Sequence, residues 1–433
     1  MHKKLLTFIS RPFIRSVAKI ATGAAAAQAI SMLFAPIITR LYGPEAYGIQ
    51  GAFVSATGIL GTVAAMSYPI AIVLPKSDID ALWLARLSLF IGSITTGLVT
   101  VLLYFLGQEI LNLLNLPEIS LLMYLIPVSM FISVLSRVVG QWLIRKKAFS
   151  LTAKVTVYQS LWMNTIKAGL GFVHPAAAVL VITNAFGGLI TAMFMLLGLR
   201  KKRRQINADK TVTTPQSSMT AVAIRHWDFA LLRTPQEFLN IVSQSLPVVM
   251  LASYFGPTAV GFYSISAAVL SMPAGLIGTS VMQVFYPRIN EAIHGGENAR
   301  DLIVKATAGL ALTGALPFGA VIIGGPLIFS FVFGSEWKMA GIYAQWLAPW
   351  LFFQYINKPA VSAIPALKLQ GGLLVYELFS TGTKFLALYL GYVIFESDII
   401  AIALFSIFGV AAYAWLILWV IFHSCKIQEN RGR

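Results

Sequence analysis

Seven ionisable side chains lie within or near long apolar stretches of this 433-residue sequence: Arg137, Lys167, Arg233, Lys358 and Lys384, and against them only Glu237 and Glu377. A charged side chain at bilayer depth costs about 2.5–3.5 kcal/mol on insertion scales, so each is a candidate for function. The balance is cationic. That suits an anionic ligand, because phosphate and carboxylate oxygens accept charge-assisted hydrogen bonds from Lys and Arg. Arg137, Lys167, Lys358 and Lys384 are therefore the candidate substrate-binding cations, and Glu237 and Glu377 are the candidates for coupling to an ion.

Each has a structural alternative. Lys167 and Arg137 could snorkel to the membrane interface. Arg233 and Glu237 are four apart on one helix face and could simply pair. Glu377 and Lys384 are two turns apart and share a face as well. Lys358 is the hardest to explain away, since it sits between Asn357 and Pro359 well inside an apolar run.

Enzyme signatures are sparse. Asp78-Ile79-Asp80 has the D-x-D form that some sugar-nucleotide transferases use to hold a metal, but it sits beside Lys76 in a short loop, and chance explains it better. No P-loop or dinucleotide fingerprint appears. The histidines, at 2, 174, 226, 294 and 423, lack metal-ligand spacing, and the single cysteine, Cys425, can form no disulfide within the chain. The sequence thus predicts a protein that is not an enzyme, with neither metal nor cofactor, and argues against an ATP-driven pump.

The elements that carry these charges must lie in lipid. Hydrophobic residues make up 58% of the chain and charged residues 11%, with a mean hydropathy of +0.78. A soluble domain is about a quarter charged. A span needs about 20 apolar residues, or roughly 35 with its loop, which predicts about twelve spans. Apolar runs place them near 17–39, 47–74, 82–106, 121–143, 151–173, 176–199, 228–254, 259–284, 302–332, 341–365, 371–394 and 399–422. The fifth carries Lys154 and Lys167, and the seventh Arg233, Glu237 and Pro247, so these two are the most polar. The basic start resembles a signal peptide, but Arg11, Arg15 and Lys19 interrupt it and the run from Ile20 to Ile38 is long enough to span, so an uncleaved first helix is expected.

The formal charge of +16 is not arranged for nucleic acid. With the N-terminus inside, the clusters at Lys3–Lys19, Arg145-Lys146-Lys147, Arg200–Arg204 and Lys426–Arg433 all fall on the cytoplasmic side, as do Lys76, Arg288, Arg300 and Lys368. The opposite loops hold little beyond Arg40 and Lys338. Both termini are expected in the cytoplasm. The one long polar linker, 200–226, falls near the midpoint, and the sequence repeats around it. Gly43-Pro44-Glu45-Ala46-Tyr47-Gly48 matches Gly256-Pro257-Thr258-Ala259-Val260-Gly261. Gly58-Ile59-Leu60-Gly61-Thr62 matches Gly275-Leu276-Ile277-Gly278-Thr279, and Tyr68-Pro69 matches Tyr286-Pro287. The expected fold is all-α: a polytopic membrane protein with two pseudo-symmetric six-helix lobes, 1–199 and 227–433, joined by the cytoplasmic linker 200–226 around a central cavity. Such halves can rock to give alternating access, a transporter design.

The run Ile38-Thr39-Arg40-Leu41-Tyr42-Gly43-Pro44-Glu45-Ala46-Tyr47-Gly48, with a Gly-spaced second helix ending Tyr68-Pro69-Ile70-Ala71, resembles bacterial polysaccharide transporters. These are the O-antigen (Wzx-type) and capsule or exopolysaccharide flippases of the multidrug/oligosaccharidyl-lipid/polysaccharide exporter superfamily. The resemblance covers essentially the whole chain. It implies movement of undecaprenyl-diphosphate-linked oligosaccharide across the inner membrane, exchanged against protons or sodium. A cationic cavity is implied as well, which Arg137, Lys167, Lys358 and Lys384 match in kind. A polysaccharide polymerase and a chain-length regulator are the protein partners it suggests, beside membrane lipid.

Three other readings compete. A multidrug extruder of the same superfamily binds organic cations and calls for buried carboxylates, which are scarce here. A membrane glycan-assembly enzyme calls for a large extramembrane loop or catalytic carboxylates. A scaffold for a glycan-assembly complex could use the basic linker, and is compatible with transport.

Overall fold

The structure, a computed structural model, describes residues 11–75, 77–113, 120–203, 218–273, 275, 285, 288–293, 297–367 and 369–429. Among these the chain forms helices and turns and no strand. The first helices are α1 (Arg11–Val63), α2 (Tyr68–Ala71), α3 (Asp78–Leu113), α4 (Leu125–Arg145), α5 (Phe149–Val173) and α6 (Ala177–Arg203). A short helix, α7 (Met219–Arg225), and a π-helical turn, Phe229–Arg233, lead into α8 (Thr234–Pro273). There follow α9 (Ala299–Phe333), α10 (Lys338–Ile356), α11 (Lys358–Ala363), α12 (Gln370–Val393) and α13 (Asp398–Glu429).

Eight helical stretches among the described residues are long and apolar enough to cross a membrane. Two of them, Ala21–Val63 and Phe229–Met272, have 43 and 44 residues. At 1.5 Å per residue each is about 65 Å long, roughly twice the thickness of a bilayer core. Both are broken in the middle. At Gly43 (φ 69°, ψ 173°) and Gly256 (φ 80°, ψ −179°) the backbone leaves the helix for a region essentially reserved for glycine. A proline follows each, and proline is favoured in a helix's first turn because its missing N–H has no partner there in any case. The repeated Gly-Pro thus joins two crossings with almost no loop. Among the described residues, counting each broken helix as two crossings and adding α5 and α10 gives twelve, the number the sequence predicts. α5 and α10 miss the apolar criterion, α5 for the polar residues that matter below. The later part of the eighth predicted span lies outside the described residues, as do Leu276–Thr279 and Tyr286-Pro287 of the repeat.

Large apolar side chains point outward where lipid must lie. On α9, Leu316 is 82% and Ile323 86% exposed. Helices approach closely where residues are small, as membrane packing favours. A Cβ on Gly325 would lie 2.5 Å from the Gly341 carbonyl oxygen, which seats α9 against α10.

By packing, the chain divides into two units, Met1–Pro257 and Thr258–Arg433, with the division at the break in α8. In the first unit, Ile38, Tyr42, Ala46, Ala168 and Leu180 form one buried cluster linking α1, α5 and α6. Val139, Leu143, Ala148, Val155 and Met195 form another linking α4, α5 and α6. The Asp78-x-Asp80 motif is a fastening point. Asp78 accepts from Arg145 Nε at 2.9 Å and Lys146 Nζ at 2.5 Å, and Asp80 pairs with Arg225 at 3.3 Å. Arg145 also donates to the carbonyls of Ile72 and Pro75. Both carboxylates are thus occupied in holding the ends of α3, α4 and α7 together.

Candidate functional site

α5 is not among the eight most apolar stretches, for a reason visible in its spacing. Thr156, Gln159, Ser160, Asn164 and Lys167 recur at intervals of three and four, so they share one helix face. α1 answers with Gln28 and Ser31, three apart. The two faces meet. The Ser31 and Ser160 hydroxyls are 3.0 Å apart, and Asn164 Nδ2 donates to Ser31 Oγ at 3.2 Å and to the Ser160 carbonyl at 2.7 Å. Ser160 Oγ donates to the Ala27 carbonyl at 2.8 Å. Further along, Tyr42 Oη donates to the Lys167 carbonyl at 2.7 Å and fixes the turn that carries the lysine.

The polar residues of the two faces, Lys167 included, line a cavity of about 480 Å³, completed by Asn184, Gly187 and Gly188 of α6. Lys167 projects into it. Among the described residues no carboxylate lines the cavity, and no ion pair involves Lys167. Asn184 Nδ2 is buried without a hydrogen-bond partner. A buried donor left unmatched costs about 1–3 kcal/mol. A cation and a free amide donor in a polar hollow form a site for an acceptor-rich, negatively charged group.

Arg137 and Glu237 lie apart from Lys167, in a second cavity of about 270 Å³ with Thr62, Ser67 and Gln141. Glu237 is committed to local partners. Its Oε1 accepts from Arg233 Nε at 2.8 Å and its Oε2 from Ser67 Oγ at 3.1 Å, with Thr234 Oγ1 3.0 Å from Ser67 Oγ. Arg233 and Glu237 pair along one face, as their spacing allows. Arg137 is exposed and has no ion pair among the described residues.

Lys358 and Lys384 belong to the second unit. The Lys384 ammonium stands 5.6 Å from the Trp350 ring centroid and 5.2 Å from that of Tyr413. Gln354 Nε2 donates to Tyr413 Oη at 3.1 Å and steadies that ring. Lys384 is therefore held by aromatic faces. Glu377, on the same helix, is exposed and forms no ion pair with it. Lys358 is half-buried at the start of α11, beside Asn357, whose Oδ1 is buried and unpartnered.

The four candidate cations thus divide into two in separate cavities of the first unit and two in the second. Sequence reasoning singled out charges and passed over Gln28, Ser31, Gln159, Ser160, Asn164 and Asn184. The signal for them was present: amides and hydroxyls at helical spacing inside apolar runs.

Paired crossings joined by Gly-Pro breaks, with a polar, cation-bearing hollow among the helices of one unit, define a polytopic all-α membrane protein of transporter type. The sequence profile of a family described as polysaccharide biosynthesis protein matches residues 37–341, and the chain belongs to that family. The resemblance read from Ile38–Ala71 is borne out. Succinoglycan biosynthesis transport protein ExoT of Rhizobium meliloti (strain 1021) is 22% identical over 338 residues, which cover 77% of this chain and 64% of that protein. The match therefore spans less than two thirds of the relative's length. Among solved structures, lipid II flippase MurJ in an inward closed conformation superposes with a TM-score of 0.71 at 14% identity, over 95% of this chain and 90% of that one. An outward-facing multidrug resistance MATE family transporter of the MOP superfamily gives 0.61 at 13% identity, over 95% and 96%. At such identities the likeness shows the fold, shared by flippases and drug extruders.

Proposed function

We propose that this protein is a flippase that moves undecaprenyl-diphosphate-linked oligosaccharide from the cytoplasmic to the periplasmic leaflet of the bacterial inner membrane, by alternating access of two six-helix lobes, 1–199 and 227–433, around a central cavity. The observation that carries this reading is Lys167 in its polar cavity, with no carboxylate lining it among the described residues. A drug extruder that binds organic cations would want the reverse. Family membership supports a substrate from polysaccharide biosynthesis, and the likeness to ExoT, a succinoglycan transport protein, and to MurJ, a lipid II flippase, supports transport and lipid-linked cargo.

The physical task fits. Sugar hydroxyls and a diphosphate cross hydrocarbon only at a prohibitive cost, so the protein supplies a polar path while the polyprenyl chain stays in lipid. Outward movement of an anion is favoured by about 2.3 kcal/mol per charge per 100 mV when the cytoplasm is negative. Proton or sodium exchange, through Glu237 or Glu377, resets the carrier. No covalent chemistry is involved. The cation-rich loops support a cytoplasmic position for both termini. A polymerase and a chain-length regulator receive the delivered units.

The test is the fate of lipid-linked repeat units in cells lacking the protein. Accumulation on the cytoplasmic leaflet with loss of surface polysaccharide, restored by wild type and not by Lys167→Ala, is expected. Normal surface glycan with altered resistance to cationic drugs would replace this reading with multidrug extrusion.

A further inference from the structure

The cavity of the first unit is small beside a whole lipid-linked oligosaccharide. Its volume of about 480 Å³ lies in the range of sites for single small ligands, about 300–1,000 Å³. A longer cargo places only part of itself there. The lining says what kind. Lys167 offers one positive charge, and Asn184 Nδ2 offers a donor with no protein partner. Gln28 and Gln159 bring two further amides to the same wall. Amide groups donate and accept at once, which matches the paired donor and acceptor character of a sugar hydroxyl. A site for bare phosphate would concentrate cations, and among the described residues one cation lines this cavity beside several neutral amides.

The Ser31, Ser160 and Asn164 side chains play a different part. Their hydrogen bonds run to one another and to backbone across α1 and α5, so they hold the wall in place. Rigid support of this kind lets the remaining amides point inward at little entropic cost on binding.

We infer that this cavity is a subsite for a single pyranose carrying one anionic group, with the anion on Lys167 and the ring hydroxyls on the amides of Asn184, Gln28 and Gln159. The inference rests on the flippase reading and adds what is recognised: one charged sugar of the cargo. The anion has two possible sources. It is either the phosphate that joins the first sugar to the lipid or the carboxylate of an acidic sugar within the repeat.

Binding to the purified full-length protein in lipid nanodiscs separates these cases. The probes are a hexose 1-phosphate, a uronic acid, the neutral hexose and inorganic phosphate, titrated by calorimetry. The subsite predicts that one anionic sugar binds at least tenfold more tightly than both the neutral hexose and inorganic phosphate. Preference for the hexose 1-phosphate identifies the lipid-proximal sugar, and preference for the uronic acid identifies an acidic residue of the repeat. Lys167→Met should abolish that preference, and Asn184→Ala should weaken binding by roughly fivefold, the loss of about one hydrogen bond. Thermal unfolding of both variants checks that they fold. If Lys167→Met misfolds, Asn184→Ala alone still decides the matter, since unchanged affinity there overturns the assignment. Equal binding of phosphate and hexose 1-phosphate, or binding of no probe, also overturns it. Such a failure leaves the flippase reading intact if cells lacking the protein still accumulate lipid-linked units on the inner leaflet. Normal distribution of those units would defeat the flippase reading whatever the probes do.

Discussion

Gly43 and Gly256 stand 213 positions apart and adopt nearly the same backbone conformation, φ 69° and ψ 173° at one, φ 80° and ψ −179° at the other. Each precedes a proline and ends one crossing while starting the next. The shared G-P-x-A-x-G string is therefore the imprint of a shared backbone requirement. No Cβ clash awaits at Gly256, where nothing lies within 4 Å of the added atom. The cost of Gly256→Ala is then purely conformational, about 1–3 kcal/mol. Gly97, inside α3, is equally open to space but helical, and there alanine should be neutral or stabilising by up to about 1 kcal/mol. Thermal unfolding in detergent should show Gly256→Ala melting lower than wild type and Gly97→Ala melting no lower. Equal melting of the two variants would mean that the break tolerates a side chain.

The contact between α1 and α5 rests on hydroxyls and amides as well as on shape. Hydrogen bonds between membrane helices average about 0.6 kcal/mol. Asn164→Ala removes the donor shared by Ser31 Oγ and the Ser160 carbonyl, and should destabilise by about that much. Ser31→Ala should give a similar, smaller loss. Combined, the two should cost less than the sum of the single changes, because they break one shared bond. Full additivity in denaturant unfolding would show that the two side chains do not interact.

Much of this architecture is legible in the sequence because lipid imposes length and apolarity on every crossing. The Gly-Pro repeat announced two special turns, and the structure supplies their geometry. α5 shows where reading stops. Lys154 and Lys167 marked it as one of the most polar spans, but only packing reveals that its amides and hydroxyls meet Gln28 and Ser31 of α1. Lys384 is a second case. Its spacing to Glu377 offered an ion pair, and the actual partners are the rings of Trp350 and Tyr413, on two other helices. Spacing along one helix fixes which residues share a face, and says nothing of what that face meets.

Outside the spans, Arg288 and Glu297 give a pH signature. Arg288 donates to Glu297 Oε1 at 3.2 Å and also to Oε2, and these hydrogen bonds hold the Glu297 carboxyl below its ordinary value. A depressed carboxyl stabilises the fold above its unfolded value, near pH 4.3, and loses that contribution as pH falls through the folded value. Both side chains are open to solvent, so the effect is small and weakens with salt. Melting curves of wild type and Glu297→Gln should separate slightly at neutral pH and converge below about pH 4. Curves that stay parallel through the acid range would show that the pair contributes nothing.

Glu237 binds the break after α1 to the start of α8. Ser67 is held at φ 54°, a left-handed conformation costly for any residue but glycine, and its hydroxyl donates to the Glu237 carboxylate at 3.1 Å. Arg233, one turn back, takes the other carboxylate oxygen. As a partly exposed i, i+4 pair the salt bridge alone is worth about 0.3–0.5 kcal/mol, so Glu237→Gln should cost less than about 1 kcal/mol of stability. Its effect on transport should be larger. Glutamine keeps the hydrogen-bonding shape and removes the charge that the proposed ion coupling needs. Export rates for wild type should then vary with external pH, and those for Glu237→Gln should be low and flat. Arg137, which lines the same cavity without an ion partner, gives the complementary test. Arg137→Gln should reduce export while leaving the pH profile's shape unchanged, since the carboxylate of Glu237 is retained. A wild-type pH profile retained in Glu237→Gln would reduce Glu237 to a fastener and move the coupling role to Glu377.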